Sequence, residues 1–155
     1  MSSEHLYKAT IKWTGNTGQG TQSYKSYERS HIISIENKPD ILASSDPSFM
    51  GDPSKHNPEE LLVSSLSGCH MLWYLHLCSA NGITVLEYTD EASGTMQETE
   101  TTGGHFIEVV LRPQVTITDE AQIVRANELH KEANRMCFIA NSCNFPVRHE
   151  PFCKV

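Results

Sequence analysis

Five cysteines, Cys69, Cys78, Cys137, Cys143 and Cys153, are the residues of this 155-residue chain best equipped for covalent chemistry. A thiolate is a nucleophile, a redox centre and a metal ligand, and its reactivity follows its pKa and its access. The count is odd, and the N-terminal MSSEHLYKATIKW lacks the basic segment and apolar run of a secretory signal. The expected location is the cytoplasm, where reactive, metal-binding or buried thiols outnumber permanent disulfides. Burial is the ordinary fate of a free cysteine, so position must separate the reactive thiols from the structural ones.

Two cysteines stand apart on that criterion. Cys69 follows Ser67-Gly68 in the most apolar stretch of the chain. A helix interrupted at Gly68 would put Cys69 at a fresh N-terminus, where backbone N–H groups and the dipole favour a thiolate. Cys137 lies near the end of a second helical segment. Its thiol could meet Cys69 across a helix–helix contact if the Cα atoms approach within about 7 Å. Cys78, nine residues beyond Cys69, falls on the opposite side of the helix and belongs in the core. Cys143 is near enough in sequence to compete with Cys137, and Cys153 is a spare thiol near the C-terminus. His70, His76 and His130 fall on helices, but no C-x-x-C or H-E-x-x-H spacing accompanies them, so no metal is expected. Gly15, Gly18 and Gly20 do not form a dinucleotide fingerprint, and no organic cofactor is expected.

The elements that must position these thiols follow from periodicity. Tyr7 to Trp13 alternates as a half-buried strand, followed by a Gly-rich turn. Ser23 to Glu36 and Ile41 to Ser44 give two more strands, and Asp46 to Pro58 reads as a loop. Asn57-Pro58-Glu59-Glu60 is a helix start, with a cap, a proline at the first position and acids at the positive end of the dipole. The helix runs to Asn81-Gly82, apolar nearly all round and so expected to be buried on most faces. It approaches the length of a membrane span, but its serines and histidines fit a buried soluble helix better. Thr84 to Met96 and His105 to Thr118 are strands joined by a polar hairpin loop. Thr118-Asp119-Glu120 opens a helix with Ala121, Val124, Leu129, Ala133 and Met136 on one stripe, and Phe145 to Val155 closes as a strand. The order β-β-β-α-β-β-α-β, with strands in antiparallel runs, makes the class α+β and the chain one domain, residues 1–155.

Charge narrows the partners. Twelve Lys and Arg against nineteen Asp and Glu give a formal charge of −7. That balance, without a basic cluster, argues against nucleic acid or an anionic membrane.

The run from Asn57 to Met71, NPEELLVSSLSGCHM, resembles the hallmark of the OsmC/Ohr family, the osmotically inducible protein C and organic hydroperoxide resistance proteins. Cys137-Phe138-Ile139-Ala140-Asn141-Ser142 resembles that family's second hallmark. The resemblance spans essentially the whole chain, because the order of strands and helices also matches. It implies an OsmC-like fold with antiparallel sheets around a buried central helix, in an intertwined homodimer with active sites at the subunit interface. It also implies a thiol peroxidase that acts on organic hydroperoxides in oxidative stress defence, with Cys69 peroxidatic and Cys137 resolving. A dithiol reductant, in the family often a lipoyl protein, restores both thiols. Met71, Leu72 and Trp73 beside Cys69 suit a fatty or aromatic hydroperoxide better than hydrogen peroxide.

Glu59 matches the family glutamate that pairs with a catalytic arginine. Ten residues of unbroken helix would hold it about 15 Å from Cys69, so that role requires a broken helix or another segment or subunit. The family's glycine-arginine-glycine loop has no counterpart in Thr14 to Gly20, which leaves Arg29, on the second strand, as the candidate to stabilise the thiolate and the peroxide oxygen. Phe138 stands where hydroperoxide resistance members usually carry proline, which points to an OsmC-like side branch. Two other classes stay open: a module that binds a small hydrophobic ligand, and a thiol redox sensor without sustained turnover.

Overall fold

A computed structural model describes residues 3–155 of the chain. The backbone divides into two compact units, one extending to Leu61 and the other covering Leu62–Val155.

In the first unit, β1 (Thr10–Trp13), β2 (His31–Ser34) and β3 (Ile41–Ala43) form an antiparallel sheet in the order β1-β2-β3. Ile11 lies opposite Ile33, and Ile32 opposite Leu42. The expected second strand is shorter than its composition suggests, because turns consume its first half. Ser26 Oγ donates to the Gly20 and Ser23 carbonyls and accepts the Ser23 N–H. Arg29 therefore lies in the loop before β2 and not on a strand. β1 also departs from expectation: all four of its residues are exposed, Ile11 and Trp13 among them. Alternation supplies an apolar face, but burying that face needs a second layer.

The helix start is a reciprocal capping box. The Glu60 N–H donates to Asn57 Oδ1 at 2.8 Å, and the Asn57 N–H donates to Glu60 Oε2 at 3.3 Å. From there α1 (Pro58–Ala80) runs unbroken for 23 residues. Gly68 does not interrupt it, so Cys69 sits in mid-helix without a helix N-terminus beneath it. One helical glycine costs only about 1 kcal/mol relative to alanine, which packing of the helix outweighs. The helix stops where Gly82 takes φ +70° and the Ile83 N–H donates to the Cys78 carbonyl. Fully buried positions on α1 are Leu66, His70, Tyr74 and Cys78, spaced by four. The buried face is thus a single stripe, narrower than the all-round apolar composition suggested. By length and composition α1 would also pass for a membrane span, but its stripe enters both apolar clusters of the second unit, as a core helix does.

Each remaining strand segment is split in two. β4 (Val85–Asp90) and β5 (Ser93–Gln97) part at Glu91-Ala92; β6 (His105–Leu111) and β7 (Pro113–Ile117) part at Arg112; β8 (Val147–His149) and β9 (Phe152–Lys154) part at Glu150-Pro151. The halves sort into two sheets, β4-β7-β9 and β5-β6-β8, antiparallel in the hairpins and parallel along β6·β8 and β7·β9. The three breaks lie side by side, so the second unit is built on one three-stranded ribbon folded along a crease. Pro113 follows one break and Pro151 lies in another, and Arg112 and Asp90 pin the crease. The Arg112 N–H donates to Asp90 Oδ1 at 2.6 Å, while its guanidinium reaches Ser93 Oγ and the Glu150 carboxylate. Asp90 Oδ2 also accepts the Ser67 hydroxyl from α1, at 2.5 Å.

Below the crease, Tyr74, Cys78, Val115, Ile117, Leu129, Ala133 and Cys153 form one apolar cluster; above it, Leu66, Val109 and Leu111 form another. α2 (Ile123–Met136) contributes Ala126, Leu129, His130 and Ala133, whereas Val124, expected on its apolar stripe, is exposed. The fold class is α+β, as the segment order indicates.

Replacing Asp90 with alanine removes two hydrogen bonds to a carboxylate. Bonds to charged groups contribute about 1.5–3 kcal/mol each, reduced here by partial exposure. Asp90→Ala is expected to lower unfolding free energy by about 2 kcal/mol, read as a shift in the urea midpoint.

Candidate active site

The crease level is where the thiols meet. Cys69 lies on α1 between Leu66 and Tyr74, half-buried, and Cys137 is the residue that closes the C-terminus of α2. Both are free thiols, and the Cys69 side chain is a neighbour that acts on the Cys137 thiol. Cys137 is almost completely buried, and burial first, then the neighbouring Cys69 side chain, pushes its pKa up to about 11. A backbone N–H, that of Ala140, points at its sulfur from 3.4 Å and opposes the shift. The pair is therefore asymmetric: a buried thiol that keeps its proton stands beside a more accessible one.

The other cysteines are occupied elsewhere. Cys143 donates to the Ile139 carbonyl at 3.3 Å within its own turn. Cys78 and Cys153 are buried in the lower cluster, where burial raises both pKa values.

An apolar groove opens on the same stretch of α1 as Cys69. Leu72 and Trp73 follow Cys69 by three and four residues and so share its face of α1. With His76 they line an open cavity of about 270 Å³. The Trp73 ring meets Phe138, the residue after Cys137, edge-on with centroids 5.6 Å apart. Leu72 and Phe138 are each 65% exposed. Phe138, noted in the sequence only as a departure from proline, thus forms one wall beside the thiols.

Beneath the pair lies a feature that the sequence reading did not resolve. His70 Nε2 and His130 Nδ1 are 3.0 Å apart, both residues fully buried. Tyr74 stacks on the His130 ring at 3.8 Å, and His149 of β8 lies beside both histidines. His70 Nδ1, His130 Nε2 and His149 Nδ1 are buried without a hydrogen-bond partner. Burial, reinforced by the neighbouring imidazoles, lowers the pKa of His70 to about 4 and of His130 to about 3, and burial lowers that of His149. Among the described residues, no group of three or more His, Cys, Asp or Glu is arranged to hold a metal. The signal was present in the sequence: His70 is adjacent to Cys69, and His130 precedes Cys137 by seven residues, two turns of helix.

The two charged candidates belong to the first unit. Arg29 donates from Nη1 to the Tyr27 carbonyl at 2.6 Å and from Nη2 to the Tyr24 carbonyl at 2.7 Å, with its guanidinium over both tyrosine rings. It is engaged by its own loop. Glu59 sits in the first turn of α1, with Oε2 buried and unpartnered. Because α1 is continuous, the helix break that would bring Glu59 to Cys69 does not occur.

Residues 51–151, which contain both thiols, match the family model for OsmC-like proteins. The chain belongs to the OsmC-like protein family. An OsmC-like protein of unknown function from Vibrio cholerae is 30% identical, with a TM-score of 0.86 over 96% of this chain and all of that one. An organic hydroperoxide resistance protein from Elizabethkingia anophelis superposes with a TM-score of 0.72 at 18% identity, over 99% of each chain. One from Legionella pneumophila gives 0.66 at 16%, over 98% of this chain and all of its own. At those identities the last two show a shared fold. No curated protein matches the sequence.

The buried imidazoles give this OsmC-like fold a pH dependence. Their folded pKa values lie below the ordinary 6.5, so the unfolded chain binds more protons as pH falls through that value. The histidine contribution is fully present above pH 6.5 and declines as pH falls toward about 4. Thermal melts across that window should show a falling Tm, with a shallower decline in His130→Leu than in the wild type.

Proposed function

We propose that this chain reduces organic hydroperoxides with Cys69 as peroxidatic and Cys137 as resolving cysteine. The observation that carries the reading is the asymmetric thiol pair beside an apolar groove. The Cys69 thiolate attacks the distal peroxide oxygen; the O–O bond breaks, an S–O bond forms, and the alkoxide takes a proton and leaves as alcohol. The Cys137 sulfur then displaces the hydroxyl of the Cys69 sulfenic acid, giving the Cys69–Cys137 disulfide and water. A dithiol such as a lipoyl group reduces that disulfide and becomes oxidised in turn. The net reaction converts hydroperoxide and dithiol into alcohol, water and disulfide.

The groove favours a substrate with an alkyl or aryl body, since Leu72, Trp73 and Phe138 offer apolar surface and few hydrogen bonds. Each unit also leaves apolar side chains uncovered, Ile11, Trp13 and Leu42 in the first and Leu72 and Phe138 in the second. A second copy of the chain supplies that cover, consistent with a homodimer, and the two units work as one OsmC-like domain. In this reading the unpartnered Glu59 oxygen receives a cation, and Arg29 is the candidate to stabilise the peroxide. Arg29→Gln is expected to lower kcat/KM at least tenfold; an unchanged value would confine Arg29 to holding the Tyr24 and Tyr27 carbonyls.

The test is turnover of an aryl alkyl hydroperoxide with a dithiol reductant, with hydrogen peroxide as control. Cys69→Ser should abolish turnover, and Cys137→Ser should permit one oxidation followed by overoxidation. A wild type no faster than Cys69→Ser would overturn the assignment. The proton held on Cys137 favours a redox sensor as second reading, marked by one oxidation without sustained turnover. The same proton sets the rate of resolution. Disulfide formation after a peroxide pulse should accelerate about tenfold per pH unit between pH 6 and 9, because the attacking species is the thiolate.

A further inference from the structure

The two thiols belong to different elements, so their encounter depends on how α1 and α2 are held in register. The one side-chain hydrogen bond joining the two helices at the thiol level, among the described residues, is His70 Nε2 to His130 Nδ1 at 3.0 Å. His70 is the next residue after Cys69 on α1, and His130 lies two turns before Cys137 on α2. The rings are within 4° of parallel. Tyr74, one turn beyond His70, stacks on His130 within 8° of parallel and fixes its plane. His149 backs the pair from β8, the strand that ends at the crease. An apolar contact would tolerate sliding of one helix along the other, whereas a hydrogen bond between two fully buried rings does not. Breaking it would leave two more buried nitrogens without partners, which the interior penalises.

We propose that His70 and His130 are positioning residues that set the Cys69–Cys137 redox equilibrium by fixing the helix register in which the thiols meet. This rests on the assignment of Cys69 and Cys137 as the redox pair, but not on peroxide as the oxidant. A disulfide requires Cα atoms within a narrow range, and the effective concentration of one thiol at the other falls as the helices become free to slide.

The experiment is equilibration of the intact protein with glutathione and glutathione disulfide, scored by mass and thiol labelling. One glutathione disulfide oxidises the Cys69–Cys137 dithiol to its disulfide and becomes two glutathione thiols. The variants are matched in polarity. His130→Asn keeps a polar atom where Nδ1 stands, and His130→Gln moves it one bond away; His70→Gln keeps one where Nε2 stands, and His70→Asn withdraws it. His130→Gln and His70→Asn should lower the equilibrium constant for disulfide formation at least tenfold, making the potential about 30 mV less negative. His130→Asn and His70→Gln should stay within about threefold of wild type. A merely structural role would destabilise reduced and oxidised forms alike and leave the constant unmoved in all four, which would overturn the proposal. If one disruptive variant does not fold, the other removes the same bond from the opposite helix. Peroxide turnover of the wild type, measured alongside, separates the two claims. Turnover with unmoved constants refutes only the positioning role; shifted constants without turnover refute only the peroxidase; and no Cys69–Cys137 disulfide in the wild type refutes both.

Discussion

The second unit depends on a crease. Three strands break at the same level, and two charged side chains hold the fold there: Asp90 accepts from α1 and from the Arg112 backbone, and Arg112 reaches Ser93 and Glu150. A flat ribbon could cover only one length of helix. The creased one closes over α1 from both sides of the bend, so the stripe from Leu66 to Cys78 passes from one apolar cluster into the other. Cys69 and His70 lie where the clusters change over. Of the two, His70 faces inward and is fully buried, whereas Cys69 is half-buried and keeps access to solvent.

The thiol pair shows how burial can set two chemically identical groups apart. Cys137 closes a helix and is enclosed; Cys69 shares a helical face with Leu72 and Trp73, which open onto a groove. Deprotonating the enclosed thiol costs the free energy of placing charge in an apolar surround, so the proton stays on Cys137. No helix N-terminus is involved, since α1 passes through Gly68 without a break. The asymmetry comes from packing and not from the helix dipole.

The buried histidines are an unusual use of core volume. Three imidazoles and a tyrosine ring occupy space that aliphatic residues would fill without orphaned nitrogens. Burial keeps the imidazoles neutral at ordinary pH, and in that state one ring can donate while the other accepts. A directional contact between helices is gained at a cost in polar satisfaction.

The sequence by itself determined the local elements and the chemistry available to them. The Asn57/Glu60 capping box, the stop at Gly82, the α+β order and the hallmark around Cys69 were all legible, because caps, periodicity and motif spacing act over a few residues. The position of Cys78 in the core followed from helical angle alone. What lay beyond reach was set by partners distant in the chain. Val124 and β1 carry apolar patterns yet are exposed, and periodicity does not reveal whether a second layer exists. The crease went unseen because alternation continues on either side of Glu91 and Arg112, and only the alignment of three breaks makes them one feature. Likewise, that Cys137 and not Cys143 meets Cys69, and that His70 meets His130 sixty residues away, depends on how α1 and α2 pack. Sequence spacing fixes which face a side chain occupies, whereas tertiary packing decides which other face it meets.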